Sequence, residues 1–148
     1  MAQPGADGHA RAGAATVRYR QPHPEHRGRQ PRARTVADVP RTCRFYERVL
    51  GMTAREERPG KWCLDFGSNK ISLHDPDHVP EDAKNAVPGS GNFCMLTDAP
   101  IEEVVAHLGR EGVAILAGPV GRNGGSGPMT SVYFRDPDGN LLEVSKLS

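Results

Sequence analysis

The sequence predicts an α+β fold: two βαβββ modules forming a curved mixed sheet, a cup, with the helices on its convex side. Three observations predict it. The helix start Asp-x-Pro occurs at Asp38-Val39-Pro40 and again at Asp98-Ala99-Pro100, sixty residues on. Each helical segment is followed by three strand-like segments, with glycine and proline at the turns between them. One βαβββ unit leaves a face of its sheet bare, and a second copy beside it is the arrangement a repeat implies.

The first helix runs from Asp38 to Gly51, with Val39, Cys43, Tyr46, Val49 and Leu50 recurring at helical spacing. Asp38 and Pro40 mark its start and Gly51 its end. Strands are expected at 52–57, at 61–66 around Trp62-Cys63-Leu64-Asp65-Phe66, and at 70–74. A polar connection at 75–90 carries Pro76, Pro80 and Pro88 and has no periodicity. In the second unit a strand is expected at 92–97, then a helix with Ile101, Val104, Val105 and Leu108 on one face, closed by Gly112. Strands follow at 113–117, 129–135 and 140–146. A glycine-rich loop at 118–128 separates the first two, and Asp136-Pro137-Asp138-Gly139 joins the last two as a tight hairpin.

Ahead of this domain, expected at 35–148, residues 1–34 read as a disordered tail. Pro4, Pro22, Pro24 and Pro31 are scattered through it, with seven arginines between Arg11 and Arg34 and hardly an apolar residue. The prolines argue against an amphipathic leader helix, and no apolar leader region opens the chain. The first strand of the first unit is the degraded element, with only Thr35-Val36 remaining of it. The chain of 148 residues carries a formal net charge of +1, with 36% hydrophobic and 25% charged residues. Mean hydropathy is −0.57. These values predict a protein without a field for nucleic acid and without a membrane span. Cys43, Cys63 and Cys94 lie far apart with no C-x-x-C, so they are expected to be small buried side chains in a reducing cytoplasm.

Alternation along a strand places the chemistry. On 70–74 it sets Lys70, Ser72 and His74 against Ile71 and Leu73. On 140–146 it sets Leu141, Glu143 and Ser145 against Leu142 and Val144, and on 92–97 Asn92 and Cys94 against Phe93 and Met95. With the apolar sets under the helices, His74, Glu143 and Asn92 face the cup. Tyr133 joins them if Val132 and Phe134 face the core. An imidazole and a carboxylate in one cleft suit a divalent cation with an open coordination position. The glycine-rich loop is expected to act as a lid that offers Arg122 to an anionic substrate; it lacks the G-K-[ST] of a phosphate loop. The run 136–140 lacks the glycine placement and twelfth-position Glu of a calcium loop.

Two motifs carry a family resemblance. Arg44-Phe45-Tyr46-Glu47-Arg48-Val49-Leu50-Gly51-Met52 resembles the F-Y-x-x-x-L-G-M helix end of vicinal oxygen chelate proteins, the superfamily of glyoxalases, bleomycin-resistance proteins and extradiol dioxygenases. Ser131-Val132-Tyr133-Phe134-Arg135-Asp136-Pro137-Asp138-Gly139-Asn140-Leu141-Leu142-Glu143-Val144 resembles their closing Y-F-x-D-P-D-G-N-x-x-E hairpin. Ile71-Ser72-Leu73-His74 is similar to a family strand ending in a metal-binding His. Within the superfamily, the Leu-His pair, the Gly-Pro-Val and the Ser-x-Tyr-Phe-Arg-Asp-Pro-Asp run look most like proteins related to glyoxalase domain-containing protein 5.

The resemblance implies His74 and Glu143 as ligands of a divalent metal (zinc, manganese, iron or nickel). It implies Glu143 and Tyr133 as catalytic groups, with Arg122, Tyr133 and Asn92 touching a small-molecule substrate. The family's first-strand His would fall at Pro31. Either the stretch before Thr35 is abnormal or the metal has been lost; both accounts stay open at this point. Two functions are therefore expected, the first leading and the second its alternative. One is a glyoxalase- or dioxygenase-type metal-dependent enzyme, a lyase or dioxygenase, acting on an oxygen-rich or electrophilic molecule. The other is a metal-free protein that sequesters a drug or metabolite. The resemblance also implies a homodimer.

Overall fold

The computed structural model describes residues 19–20, 32–78 and 85–148. In the first module, α1 (Val39–Leu50) buries Thr42, Cys43, Tyr46, Val49 and Leu50. Asp38 caps it, its Oδ1 accepting the Arg41 N–H at 2.8 Å. Gly51 ends it at φ 60°, a left-handed conformation from which its N–H reaches back to the Glu47 carbonyl. Then β3 (Thr53–Arg58), β4 (Lys61–Phe66) and β5 (Asn69–His74) run as an antiparallel meander, and β5 pairs in parallel with β2 (Arg32–Thr35). The sheet order is β2-β5-β4-β3.

The second module repeats this wiring. Its elements are β6 (Asn92–Thr97), α2 (Ile101–Arg110), β7 (Ile115–Gly124), β8 (Gly127–Arg135) and β9 (Leu141–Leu147). Their order is β6-β9-β8-β7, again with the first strand parallel to the last. A two-residue strand β1 (Tyr19–Arg20) lies antiparallel on the free side of β6. The two sheets are separate in backbone hydrogen bonding but share one core, in which Tyr46, Val49 and Leu64 of the first module meet Phe93, Val104, Phe134 and Val144 of the second. The predicted α+β architecture of two βαβββ modules is the one observed. Among the described residues, no helix is long and apolar enough to cross a membrane.

Two expectations need correction. The glycine-rich stretch 118–128 is not a loop. β7 runs on through it to Gly124 and pairs with β8 as far as Gly124↔Gly127, leaving only Gly125 and Ser126 at the turn. An edge strand needs its neighbour on one side only, so Pro119, which cannot donate to a ladder, is tolerated there. The irregular register between Ala117 and Val120 absorbs it. The first strand, secondly, is longer than Thr35-Val36. Arg32–Thr35 forms a ladder with Ile71 to His74, and the Val36 N–H donates to the His74 carbonyl at 2.8 Å. A parallel ladder is made by backbone groups, and Val36, 1% exposed, supplies an apolar core contact at the end of the strand. Apart from Tyr19–Arg20 and residues 32–34, the predicted tail, Pro31 included, lies outside the described residues.

Candidate functional site

Register and burial together confirm which strand faces are apolar. Ile71, Leu73, Phe93, Met95, Val132, Phe134, Leu142 and Val144 are all buried in the core. The alternate positions therefore line the opposite faces, and these differ between the modules. In the second module, Cys94 of β6 stands beside Glu143 of β9, which stands beside Tyr133 of β8. The Tyr133 hydroxyl donates to Glu143 Oε1 at 2.8 Å and accepts from Arg122 Nε at 3.1 Å. The Arg122 guanidinium lies 5.5 Å from the centre of the Tyr133 ring. Ser145, two positions after Glu143, also donates to Glu143 Oε1, at 3.1 Å, and shares a 2.7 Å hydrogen bond with Ser131.

The result is a continuous polar row, Arg122–Tyr133–Glu143–Ser145–Ser131, on one sheet face. Three of its members were foreseen. Ser131 and Ser145 were not given a role, although their positions alternate with the core residues of β8 and β9. A cation at one end and a half-buried carboxylate in the middle let this row read an oxygen-rich ligand by charge and by hydrogen bonding.

Arg122 reaches Tyr133 from a paired strand rather than from a lid. Its position is set by the Arg122↔Met129 register. Asn92 opens β6 as an exposed residue. Cys94 is half-buried at the floor; burial pushes its thiol up, and the neighbouring Glu143 charge adds to that. Burial likewise raises Cys43 and Cys63, so none of the three is an activated nucleophile.

In the first module, the face carrying His74 is occupied by two ion pairs. Arg55 meets Asp65 at 2.8 Å, and Lys70 meets Glu57. Asp65 and Lys70 stand opposite each other on β4 and β5, and Cys63 opposite Ser72. His74 sits half-buried at the end of β5.

A tightly held divalent ion takes three or four protein donors. Among the described residues, no three His, Cys, Asp or Glu side chains gather closely enough to share an ion. Glu143 Oε1 already accepts two hydrogen bonds, and Asn92 is a weak amide donor at an exposed position. The described donors do not make a fitting set for such an ion.

The two signature motifs meet elsewhere, at a buried junction between the modules. The Tyr46 hydroxyl donates to Asp136 Oδ2 at 2.8 Å. Asp136 also accepts from the backbone N–H groups of Asp138 and Asn140 and from Asn140 Nδ2. Asn140 in turn accepts the Gly91 N–H. Asp136 is 6% exposed and Asn140 1%. Burial and the adjacent carboxylate push the Tyr46 phenol well up, so it stays a donor at any ordinary pH. The Asp-Pro-Asp-Gly-Asn run thus commits its first carboxylate, Asp136, to its own hairpin and to α1.

Residues 29–144 match the model of the glyoxalase/bleomycin resistance protein/dioxygenase superfamily. The chain belongs to that superfamily. It is 43% identical to virulence protein STM3117 of Salmonella typhimurium over 113 residues, which is 76% of this chain and 78% of the relative. The crystal structure of that protein superposes with a TM-score of 0.76, covering 78% of this chain and 93% of the other. A lactoylglutathione lyase from Agrobacterium tumefaciens is similar at 27% identity and a TM-score of 0.59, covering 77% of this chain and 89% of its own. TnmS3, an antibiotic binding protein from Streptomyces sp. CB03234, has the same fold at 23% identity and a TM-score of 0.68, covering 85% of this chain and all of its own.

Proposed function

We propose that this superfamily member binds a small, oxygen-rich molecule on the polar face of its second module's sheet without a tightly held metal, as a drug- or metabolite-sequestering protein. The observation that carries this reading is the row in which Arg122 donates to Tyr133 and Tyr133 to Glu143. Its cationic end meets a carboxylate, phenolate or enolate oxygen of the ligand, and the Tyr133 hydroxyl orients the rest, with the buried Ser131 and Ser145 holding Glu143 from behind. The described donors, which fall short of a three-ligand set, support the same reading. The likeness in fold to TnmS3, an antibiotic binding protein, is in keeping with this reading.

A second reading is a metal-dependent enzyme of glyoxalase or dioxygenase type. It is favoured by His74 and Glu143 together and by the likeness to a lactoylglutathione lyase. In it, His74 and Glu143 would hold the ion, and Tyr133, Arg122 and Asn92 would contact the substrate.

One experiment separates the two. The purified full chain is assayed for zinc, manganese, iron and nickel before and after reconstitution, then titrated calorimetrically with bleomycin-type antibiotics and hydroxylated aromatic acids, with and without chelator. The binding reading expects saturable uptake that chelator leaves unchanged and that Tyr133→Phe weakens about tenfold, the worth of one charge-assisted contact. Stoichiometric metal that His74→Ala abolishes, with uptake lost on chelation, would sink it in favour of the enzyme.

A further inference from the structure

We infer that the hollow on the outer side of α1 is a second binding site, for a small organic phosphate with a flat apolar part, separate from the polar face of the second module's sheet and independent of the function proposed for it. The hollow measures about 710 Å³, within the range of ligand pockets, and is lined by Arg41, Arg44, Phe45, Glu47, Arg48 and Pro137. These residues come from the solvent side of α1, opposite the buried Cys43, Tyr46, Val49 and Leu50, and from the hairpin of the other module.

Arginines at positions 41, 44 and 48 fall on one helical stripe, one turn apart each time. Like charges so spaced repel, and a solvated helix gains nothing from gathering them. Two of the three are also fixed. Arg41 donates to the Pro137 carbonyl, and Arg48 donates to the Glu111 carbonyl and carboxylate. The two ends of the hollow therefore hold their guanidiniums in place, and because the Arg48 charge is already met by Glu111, Arg41 and Arg44 are the cations left to an incoming anion. Arg44 stands between them, exposed, with no hydrogen-bond or ion-pair partner among the described residues. The single carboxylate in the lining, Glu47, accepts the Ala54 N–H through Oε1, which turns it toward β3.

The planar fork of Arg44, one turn from the anchored Arg41, matches the oxygens of a phosphate better than a point charge would. The half-buried Phe45 ring, packed edge-on against Tyr46 at 5.5 Å, gives the hollow an apolar wall for a ring on the ligand.

The test is calorimetric titration of the full chain carrying Arg122→Ala and Tyr133→Phe, so that the polar sheet face cannot contribute. Phenyl phosphate, inorganic phosphate and phenol are the probes. Phenyl phosphate is expected to saturate one site, at least about tenfold tighter than either fragment, and Arg44→Glu to weaken it a further tenfold or more with an unchanged melting temperature. Arg44→Ala should fall between. The proposal is overturned if phenyl phosphate does not saturate below about 10 mM, a free energy too small for a built site. It is equally overturned if Arg44→Glu leaves its affinity unchanged, or if inorganic phosphate binds as tightly.

Discussion

The two modules have one topology and two kinds of polar sheet face. In the first, charges are consumed in pairs, Arg55 with Asp65 and Lys70 with Glu57. In the second, a cation, a phenol, a carboxylate and two serines form an open-ended row. Their opening strands differ in the same direction. β6 puts Phe93 and Met95, 6% and 0% exposed, into the core. The register of β2 puts Arg34 there, on the side of Leu73. The duplicated fold therefore does not need two equivalent sheets. It needs a shared core and a junction, and function can then reside on the better-built half.

The largest expected effect is at that junction. Asp136→Ala removes the acceptor of four donors, three of them within its own hairpin and the fourth the Tyr46 hydroxyl of the other module. Stranding buried donors costs about 1–3 kcal/mol each when no water replaces the partner, so a loss of about 3 kcal/mol is expected after local relaxation. Urea unfolding of the two chains measures it. A loss below about 1 kcal/mol would mean that the modules are held by apolar packing alone. Tyr46→Phe, which removes one hydrogen bond and leaves Asp136 Oδ2 paired with Asn140 Nδ2, should cost about 1 kcal/mol in the same assay.

The next effect has the opposite sign. Arg34 Nε is buried without a hydrogen-bond partner, and its guanidinium lies 5.1 Å from the centre of the Phe93 ring. The ring contact returns about 0.5–1 kcal/mol, less than the penalty of an unsatisfied buried donor. Arg34→Leu, which restores an apolar residue to the core side of β2, is therefore expected to stabilise the fold by about 1 kcal/mol. A destabilised variant would show that the cation–ring contact, and not strand apolarity, holds β2 beside the second module.

How much of this was legible follows from the range of each interaction. The α1 boundaries could be read because the Asp38 cap and the Gly51 ending lie within a few residues of the helix they define. The faces of β5, β6, β8 and β9 could be read because alternation is local. β7 could not: Gly118, Pro119, Gly121 and Gly124 have low strand propensity, and only the opposite strand from Met129 to Phe134 tells them to extend. Nor could the Tyr46–Asp136 bond, which spans 90 residues, although both partners lay inside recognised motifs. His74 and Glu143 alternate with the buried Leu73 and Val144, which is as far as alternation reaches. Any third ligand depended on residues before Arg32, where no periodicity guided the reading.

The smallest expected effect sharpens the junction by pH. Burial raises the Asp138 carboxyl above its ordinary value of 3.8, outweighing the Ala37 N–H that stabilises the charged form. Its other oxygen, Oδ2, is buried without a partner. A carboxyl raised in the folded state favours folding most when protonated. Its contribution is present below the ordinary value and is lost as pH rises through the raised one. Asp138→Asn keeps an oxygen for Ala37 and cannot ionise. The two chains should therefore be equally stable near pH 3.5, and the variant should gain about 0.5 kcal/mol by pH 7, allowing for solvent screening at a half-buried position. Denaturation midpoints across that range measure the gap. A gap that stays constant, or that closes toward neutrality, would mean that water reaches Oδ2 and that Asp138 carries no strain at the meeting of the modules.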